Sequence, residues 1–223
     1  MSLQMTDIEV RLPDRKRTSN SFSTKKPIAE VSCIIENGRS REIVVPVRVG
    51  RILKEEGIPL PQEEDAAFDA IHELEARVCF TMLTEILSRR DHSCEEVRTK
   101  LASYGFRSEE IEPAIAKAQE LKFLNDNRFA QYFIDERKRR GWGRRKVELE
   151  LRRRGIDCQE LPGYPDAFFQ EEDDLERAHA LLKRKSIPSA KAFEKLVRFL
   201  LGKGFSYAIA ADAVREHLSD SES

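Results

Sequence analysis

Three segments of the chain repeat one short apolar pattern that ends at a glycine. In each copy an apolar residue and a leucine stand four positions apart, and a glycine with an apolar neighbour follows four positions later: Val97, Leu101, Gly105-Phe106; Val147, Leu151, Gly155-Ile156; Leu196, Leu200, Gly204-Phe205. Apolar residues four apart share a helix face, and glycine is preferred where a helix ends in a left-handed conformation. Because the glycines are 50 and 49 residues apart, the pattern indicates a tandem repeat whose units bury their apolar faces against one another.

The spacing of apolar residues around each motif predicts three helices per unit. We expect first helices at 67–89, 125–140 and 171–186, and third helices at 109–123 and 206–218. In the middle unit Pro162, Gly163 and Pro165 interrupt the third helix almost where it begins, so this joint should be short or irregular. The predicted fold is mainly α, an elongated curved array of three-helix repeats at 66–123, 124–169 and 170–218, followed by a short tail at 219–223.

Two local signals bear on the helix ends of the first unit. Ser93 and Glu96, three residues apart, form a capping box that starts its second helix. Pro113 stands in the early turns of its third helix, which favours a start near Glu112 rather than near Glu109.

The segment before the repeats has a different pattern. Residues 1–27 combine six basic side chains with Ser, Thr and Asn and lack apolar periodicity, so we expect a flexible basic tail. From Val31 to Val47 apolar residues alternate on both sides of Asn37-Gly38, which predicts a β-hairpin with an irregular turn and, within 28–65, a short helix. Because Pro46 cannot donate a hydrogen bond to a neighbouring strand, we place the second strand at an edge.

Composition argues against several classes of protein. The four cysteines (Cys33, Cys79, Cys94, Cys158) show no paired spacing and the four histidines are scattered, so we expect no metal site, no disulfide framework and no cofactor, and we interpret the cysteines as small buried hydrophobic residues. The chain shows no membrane-spanning run and no secretory signal, which leads us to expect a cytoplasmic protein.

Charge is concentrated in residues 137–154, which we call the basic segment. Ten basic residues, Arg139 among them, stand there with only Glu148 and Glu150, a net charge of +8 in a chain whose total is −1. The helical pairs Arg144–Glu148, Glu148–Arg152 and Glu150–Arg154 would describe a solvated helix face. Two glutamates cannot neutralise ten cations, however, and the excess should attract phosphate or an acidic protein groove. The candidate contact residues are Arg137, Lys138, Arg140, Trp142, Arg144, Arg145, Lys146, Arg152, Arg153 and Arg154.

Aromatic residues near the basic segment allow two interpretations. Trp142, the only tryptophan, lies between two glycines, and it either packs beneath the repeat or stands at an interface. Phe129, Tyr132 and Phe133 keep helical spacing, so we expect them in the core rather than in a base-stacking platform.

Several of these motifs together resemble the RecX family of regulators of the RecA recombinase. They are Leu87-x-Arg89-Arg90-x-x-Ser93; Leu124, Asn125, Asp126, Arg128, Phe129, Ala130 and Tyr132; Gly141-x-Gly143; Leu151-x-x-x-Gly155-Ile156; and Gly204-Phe205-Ser206. The resemblance covers residues 28–218. One departure is Leu201-Gly202-Lys203, where the family usually has a basic pair, so the resemblance says less about contacts made by the third unit.

The resemblance implies a modular protein that lodges in the helical groove of the RecA–DNA filament. Such a protein limits filament growth and depresses the ATPase, strand-exchange and co-protease activities of RecA, in recombination, DNA repair and the SOS response. It implies RecA as the partner, weak non-specific binding of single- or double-stranded DNA, no membrane and a monomeric state. A repeat array with a basic middle unit suits this role, because a ligand that prefers one filament state shifts its population.

Two other classes remain as alternatives. A helix, a glycine turn and a basic helix also describe an autonomous helix-turn-helix DNA-binding protein. An enzyme is disfavoured, because the chain has no phosphate-binding glycine loop, metal-ligand set or nucleophile motif. Asn125 or Asp126 is interpreted as a helix N-cap rather than as a catalytic acid.

Overall fold

The computed structural model describes residues 3–13 and 28–222, and the chain divides into two compact units, Met1–Leu124 and Asn125–Ser223. The first unit contains four strands, β1 (Gln4–Arg11), β2 (Ile28–Ile35), β3 (Ser40–Pro46) and β4 (Gln62–Glu63), and four helices, α1 (Val47–Glu55), α2 (Glu64–Leu87), α3 (Cys94–Ser103) and α4 (Ser108–Glu120). The second unit contains α5 (Asp126–Arg139), α6 (Arg144–Arg152), a 3-10 turn (Cys158–Glu160), α7 (Glu171–Leu182), α8 (Ala192–Lys203) and α9 (Tyr207–Glu222).

The predicted hairpin is confirmed and is part of a larger sheet. The strands are antiparallel in the order β3-β2-β1-β4, so β3 lies at an edge as predicted from Pro46. The turn is irregular: Ile34 pairs with Ser40, the Ile35 N–H donates to the Arg39 carbonyl at 2.9 Å, and Gly38 takes a φ of 79°. Such a turn needs a residue that tolerates positive φ.

The prediction of a flexible tail over residues 1–27 is wrong for its first part, because Gln4–Arg11 forms strand β1. Met5 is fully buried, and Ile8 and Val10 pack against the same core. A register shift between Met5 and Asp7 breaks the alternation of apolar residues, which is why the strand has no clear period of two. Residues 14–27 lie outside the described residues.

The sheet and the first repeat share one hydrophobic core. Buried side chains run without interruption from the strands, through Val49 of α1 and Ile71 of α2, to Leu101 of α3 and Ile115 of α4. A small sheet on its own is marginally stable, and here the helices cover its apolar side. The hairpin therefore belongs structurally with the first repeat.

The helix starts in this unit agree with one prediction and correct another. Ser93 caps α3 as predicted, since its hydroxyl accepts from the Glu96 N–H at 3.2 Å. The start of α4 near Glu112 is wrong, because the helix begins at Ser108. The Arg107 N–H donates to the Glu110 carboxylate at 2.9 Å, which stabilises the earlier start. Pro113 faces solvent, where water can satisfy the carbonyl that its missing N–H leaves free.

The second unit contains two smaller cores, one for each repeat. Phe129, Ile134 and Leu151 belong to the core of the middle repeat, and Leu182 and Leu200 belong to that of the third. In the middle repeat the region of Pro162, Gly163 and Pro165 forms turns rather than a third helix. The Asn125 side chain caps α5 by accepting from the Arg128 N–H at 2.9 Å, which selects Asn125 over Asp126.

Candidate partner-binding site

The basic segment occupies the end of α5, the turn at 141–143, helix α6 and the residues that follow it. Arg137, Lys138 and Arg139 lie in the last turn of α5, where positive charge is favourable near the carbonyl end of the helix dipole. Gly143 is the N-cap of α6 and Arg153 is its C-cap. The local sequence therefore places the predicted contact residues on two helices and the turn that joins them.

Trp142 packs between two cations of the segment. The guanidinium carbon of Arg137 lies 4.8 Å from the Trp142 ring and 4.7 Å from the Phe133 ring, and the Lys146 ammonium lies 4.3 Å from the Trp142 ring. The indole is half-buried against the core of the middle repeat. Of the two interpretations of Trp142, the structure favours packing beneath the repeat, where cation–π contacts stabilise two of the positive charges.

Two further cations of the segment are committed to contacts within the repeat. The Lys138 ammonium donates to the Phe168 carbonyl at 2.5 Å, and burial together with the nearby charge of Arg177 lowers the pKa of Lys138. The Arg154 guanidinium lies 4.8 Å from the Phe133 ring and donates to the Glu150 carboxylate at 2.7 Å. These contacts hold both side chains against the repeat and stabilise its fold.

Arg144 connects α6 to the turn-rich segment that replaces a third helix. Its Nε donates to Glu148 at 2.8 Å and to the Tyr164 hydroxyl at 3.2 Å, and that hydroxyl also bonds to Glu148. Burial and the bond to Glu148 raise the pKa of Tyr164 above its ordinary value. The predicted pair Arg144–Glu148 is present, but Tyr164 takes the place that the prediction gave to Arg152.

Exposed cations of the segment differ in how far a carboxylate compensates their charge. Arg140 pairs with Glu136, and Arg153 pairs with Glu150 at 2.6 Å, so both charges are partly compensated. Arg145 and Arg152 are exposed, and their guanidinium groups meet no partner in the part of the chain that the structure describes.

Arg145, Leu149 and Arg152 form a stripe along α6, which we call the α6 stripe. They are spaced four and three residues apart, which places them on one helix face. Leu149 is 48% exposed between the two uncompensated arginines. The stripe therefore combines positive charge with an exposed apolar side chain, and the sequence pattern alone did not separate it from the stacked cations.

The aromatic residues of α5 divide between core and surface. Phe129 and Phe133 are buried with ring centroids 5.9 Å apart, as predicted for core residues. The same prediction is wrong for Tyr132, which is 62% exposed. Its position falls outside the face that Phe129, Ala130, Phe133 and Ile134 bury.

The beginning of α6 is joined to the end of α8. The Gly143 N–H donates to the Lys203 carbonyl at 2.9 Å, and the Arg145 N–H donates to the Gly204 carbonyl at 3.0 Å. The first amides of one helix thus pair with the last carbonyls of another, which satisfies groups that both helix ends leave unpaired. This joint holds α6 against the third repeat.

A second polar cluster, which the sequence reasoning missed, lies in the first unit. Ligand atoms of His72, Glu75 and Glu110 all lie within 4.8 Å of one another, and Glu75 is only 2% exposed. Arg107 donates to Glu75 at 3.2 Å and to Glu110 at 2.6 Å. Burial, and then the charge of Glu110, raise the pKa of Glu75. Because a guanidinium already bridges the carboxylates, the cluster is accounted for as a partly buried ion network.

The four cysteines are buried, as predicted. Burial raises the pKa of Cys33, Cys79 and Cys158, in Cys79 to about 12. Thiols with raised pKa values stay protonated and unreactive at neutral pH.

No helix in the described residues has the length and apolar character that crossing a membrane requires.

Comparisons with known proteins match the repeats directly. The family model of the second three-helix domain of RecX matches residues 125–159, and that of the first three-helix domain of RecX matches residues 81–117. The chain is 36% identical over 128 residues to the regulatory protein RecX of Actinobacillus pleuropneumoniae serotype 5b (strain L20), which covers 55% of this chain and 82% of that protein. It is 32% identical over 147 residues to the regulatory protein RecX of Vibrio vulnificus (strain CMCP6), covering 64% and 92%.

Two solved structures are similar in fold. The crystal structure of RecX from Lactobacillus salivarius matches with a TM-score of 0.54 and 22% identity, over 63% of this chain and 95% of that chain. A crystal structure of regulatory protein RecX matches with a TM-score of 0.59 and 18% identity, over 84% and 94%. Together with the two family models and the relatives that are more than 30% identical, these matches show that the chain belongs to the RecX family of regulatory proteins.

Proposed function

We propose that this protein inhibits the RecA recombinase by binding its nucleoprotein filament through the middle repeat. The observation that carries the proposal is the α6 stripe, where Arg145 and Arg152 project without compensating partners among the described residues. Such charges create a field that attracts acidic protein surface or DNA phosphate. Membership of the RecX family supports a regulatory role. That the target is the RecA filament is our proposal.

The apolar member of the stripe bears on the kind of partner. Leu149 is 48% exposed between the two arginines. An exposed apolar side chain stabilises a complex only where the partner removes it from water. DNA backbone offers mainly charge, whereas a protein groove offers both acidic and apolar surface. The stripe therefore fits the protein component of the filament better than its DNA.

An autonomous helix-turn-helix protein fits the geometry less well. Such a protein contacts base edges with the N-terminal residues of its recognition helix. In this chain the N-terminal end of α6 is joined to α8, through the Gly143 and Arg145 amides and the carbonyls of Lys203 and Gly204. That contact restricts the approach of a DNA groove to the same end of the helix.

No catalytic step is part of the proposed mechanism. A protein that binds one state of the filament more tightly than another shifts the populations by its differential affinity. Inhibition of ATPase, strand exchange and co-protease activity would then share one cause.

Co-sedimentation distinguishes the two functions. The protein is centrifuged with RecA filaments formed on single-stranded DNA, with RecA alone, and with the DNA alone, at physiological salt. We expect it to pellet with the filaments at protein concentrations that leave it in the supernatant with DNA alone. Equal binding to bare DNA, with tight preference for one sequence, would favour the helix-turn-helix alternative.

A further inference from the structure

A pocket outside the α6 stripe lies between α5 and α7 in the second unit. Its cavity of about 440 Å³ is lined by Asp135, Lys138, Arg139 and Arg177. Three cations and one carboxylate thus line an open pocket at the surface. Cations gathered at one place attract counter-ions and raise their local concentration.

Arg177 carries a donor that the described part of the fold leaves unused. Its side chain is 18% exposed, and its Nη2 donates to the buried carboxylate of Asp174. Its Nε is buried and has no hydrogen-bond partner among the described residues. Buried donors in native proteins are nearly always satisfied, so a donor of this kind calls for an acceptor that the described residues do not provide.

Burial disfavours the charged forms of two cations of the pocket. Burial, and then repulsion from Arg177, lower the pKa of Lys138 in spite of the opposing charges of Asp173 and Asp135. Burial likewise lowers the pKa of Arg177, although Asp173 opposes it. A bound anion would stabilise both cations in their charged forms.

Arg139 supplies the exposed side of the pocket. Its Nε donates to the Asp135 backbone carbonyl at 3.2 Å, and the two terminal nitrogens of its guanidinium meet no partner within the described ranges. Guanidinium groups bind the oxygens of phosphate in pairs, and an ammonium adds a point charge.

We propose that Lys138, Arg139 and Arg177 form a binding pocket for a phosphate group. The site is separate from the α6 stripe, and it does not depend on the identity of the protein partner. The same chemistry is offered by free phosphate and by the phosphodiester of a nucleic-acid strand. A tetrahedral anion can accept hydrogen bonds from donors on two helices, and the two guanidinium groups and one ammonium outnumber the one carboxylate of the lining.

The proposal is tested with inorganic phosphate at constant ionic strength, using chloride as the balancing anion and the shift of the unfolding midpoint as readout. Arg139→Gln is the test variant and Arg140→Gln is its matched control, because both remove one exposed cation from adjacent positions and only Arg139 lines the pocket. We expect Arg139→Gln to weaken phosphate binding roughly tenfold, the effect of one charge-assisted hydrogen bond. Arg140→Gln should bind phosphate as the wild type does.

A second variant tests the role of charge by removing a negative side chain, which should strengthen phosphate binding. Asp135→Asn removes the one carboxylate of the lining, so we expect it to bind phosphate several-fold more tightly than the wild type. Arg177→Gln is a poor first choice, because Arg177 also pairs with buried Asp174. Stabilisation by phosphate no greater than by chloride, or equal losses in Arg139→Gln and Arg140→Gln, would overturn the proposal.

Competition identifies the source of the phosphate group. A short oligothymidylate without terminal phosphate is titrated against protein saturated with inorganic phosphate, and displacement is followed by phosphorus NMR. Displacement that Arg139→Gln weakens assigns the pocket to nucleic-acid backbone. Retention of inorganic phosphate in the presence of the oligonucleotide assigns the pocket to free phosphate, and both results support a phosphate site.

Discussion

Gly143 and Gly204 touch through their backbones. A Cβ atom on Gly143 would lie 2.5 Å from the carbonyl carbon of Gly204. A Cβ atom on Gly204 would lie 2.4 Å from the Cβ atom of Lys146. Gly204 also takes a φ of 96°, in the left-handed region. The turn before α6 and the end of α8 thus meet at a distance that only glycine permits. Two glycines from separate motifs are explained by one joint.

Replacing Gly143 tests that joint. The φ of Gly143 is −85°, so Gly143→Ala introduces no backbone strain, but its methyl group must displace backbone of Gly204. We expect a loss of about 1–3 kcal/mol in the free energy of unfolding. Gly202→Ala is the control, because Gly202 lies in α8 with nothing within 4 Å of an added Cβ.

The control should be neutral or stabilising by about 0.5–1 kcal/mol, since alanine loses less conformational entropy than glycine in a helix. Urea unfolding followed by circular dichroism measures both variants. Equal stability of the two alanine variants would show that the close approach has no energetic importance.

The Tyr164 hydroxyl is expected to stabilise the segment that replaces a third helix. Tyr164→Phe removes its bonds with Glu148 and Arg144 but leaves the Arg144–Glu148 pair at 2.8 Å. We expect a cost of about 1 kcal/mol, which is typical of one hydrogen bond. Tyr132→Phe is the matched control, because Tyr132 is 62% exposed and its hydroxyl is free to bond with water. Losses of the same size in both variants would contradict a structural role for the cluster.

Acid should destabilise the first unit through His92. The side chain is 3% exposed, and burial, followed by the charges of Arg90 and Lys100, lowers the pKa of His92. His92 therefore binds a proton more weakly in the folded chain than in the unfolded chain. As a result, the free energy of unfolding falls as the pH drops below about 6.5.

His92→Gln removes this proton uptake. We expect its free energy of unfolding to change less between pH 7 and pH 5 than that of the wild type, by at most about 1.4 kcal/mol per pH unit for one proton. Urea unfolding at a series of pH values measures the two slopes. Identical slopes would exclude His92 as the group responsible.

Much of the fold follows from the sequence because the repeats use local signals. The motif glycines, the Ser93 cap and the Asn125 cap act within a few residues of their own helices. Strand β1 escaped prediction because the bulge after Met5 shifts its apolar residues out of alternation, and because its partner strand β2 lies beyond residues 14–27. Contacts between distant segments leave little trace in local spacing.

The sequence predicted where the charge of the candidate site is concentrated, but not how its side chains are arranged. The count of cations correctly located a segment with excess charge, but it gave each arginine equal importance. Arg137 and Lys146 stack on Trp142, whereas Arg145 and Arg152 project from α6. The packing of α5 against α6 decides which cations stack on aromatic rings. The pattern of charges along the sequence does not encode this packing.

Charge reversal on the α6 stripe tests the proposed function most directly. The variant Arg145→Glu/Arg152→Glu is compared with Lys195→Glu/Arg198→Glu, which reverses two exposed cations on α8 in the same unit. The measurement is the concentration of each protein needed to inhibit DNA-stimulated ATP hydrolysis by RecA, with helicity checked by circular dichroism. We predict that the stripe variant needs at least roughly tenfold more protein than the wild type, and that the α8 variant inhibits as the wild type does. Full inhibition by the stripe variant at wild-type concentrations, with helicity unchanged, would contradict the account.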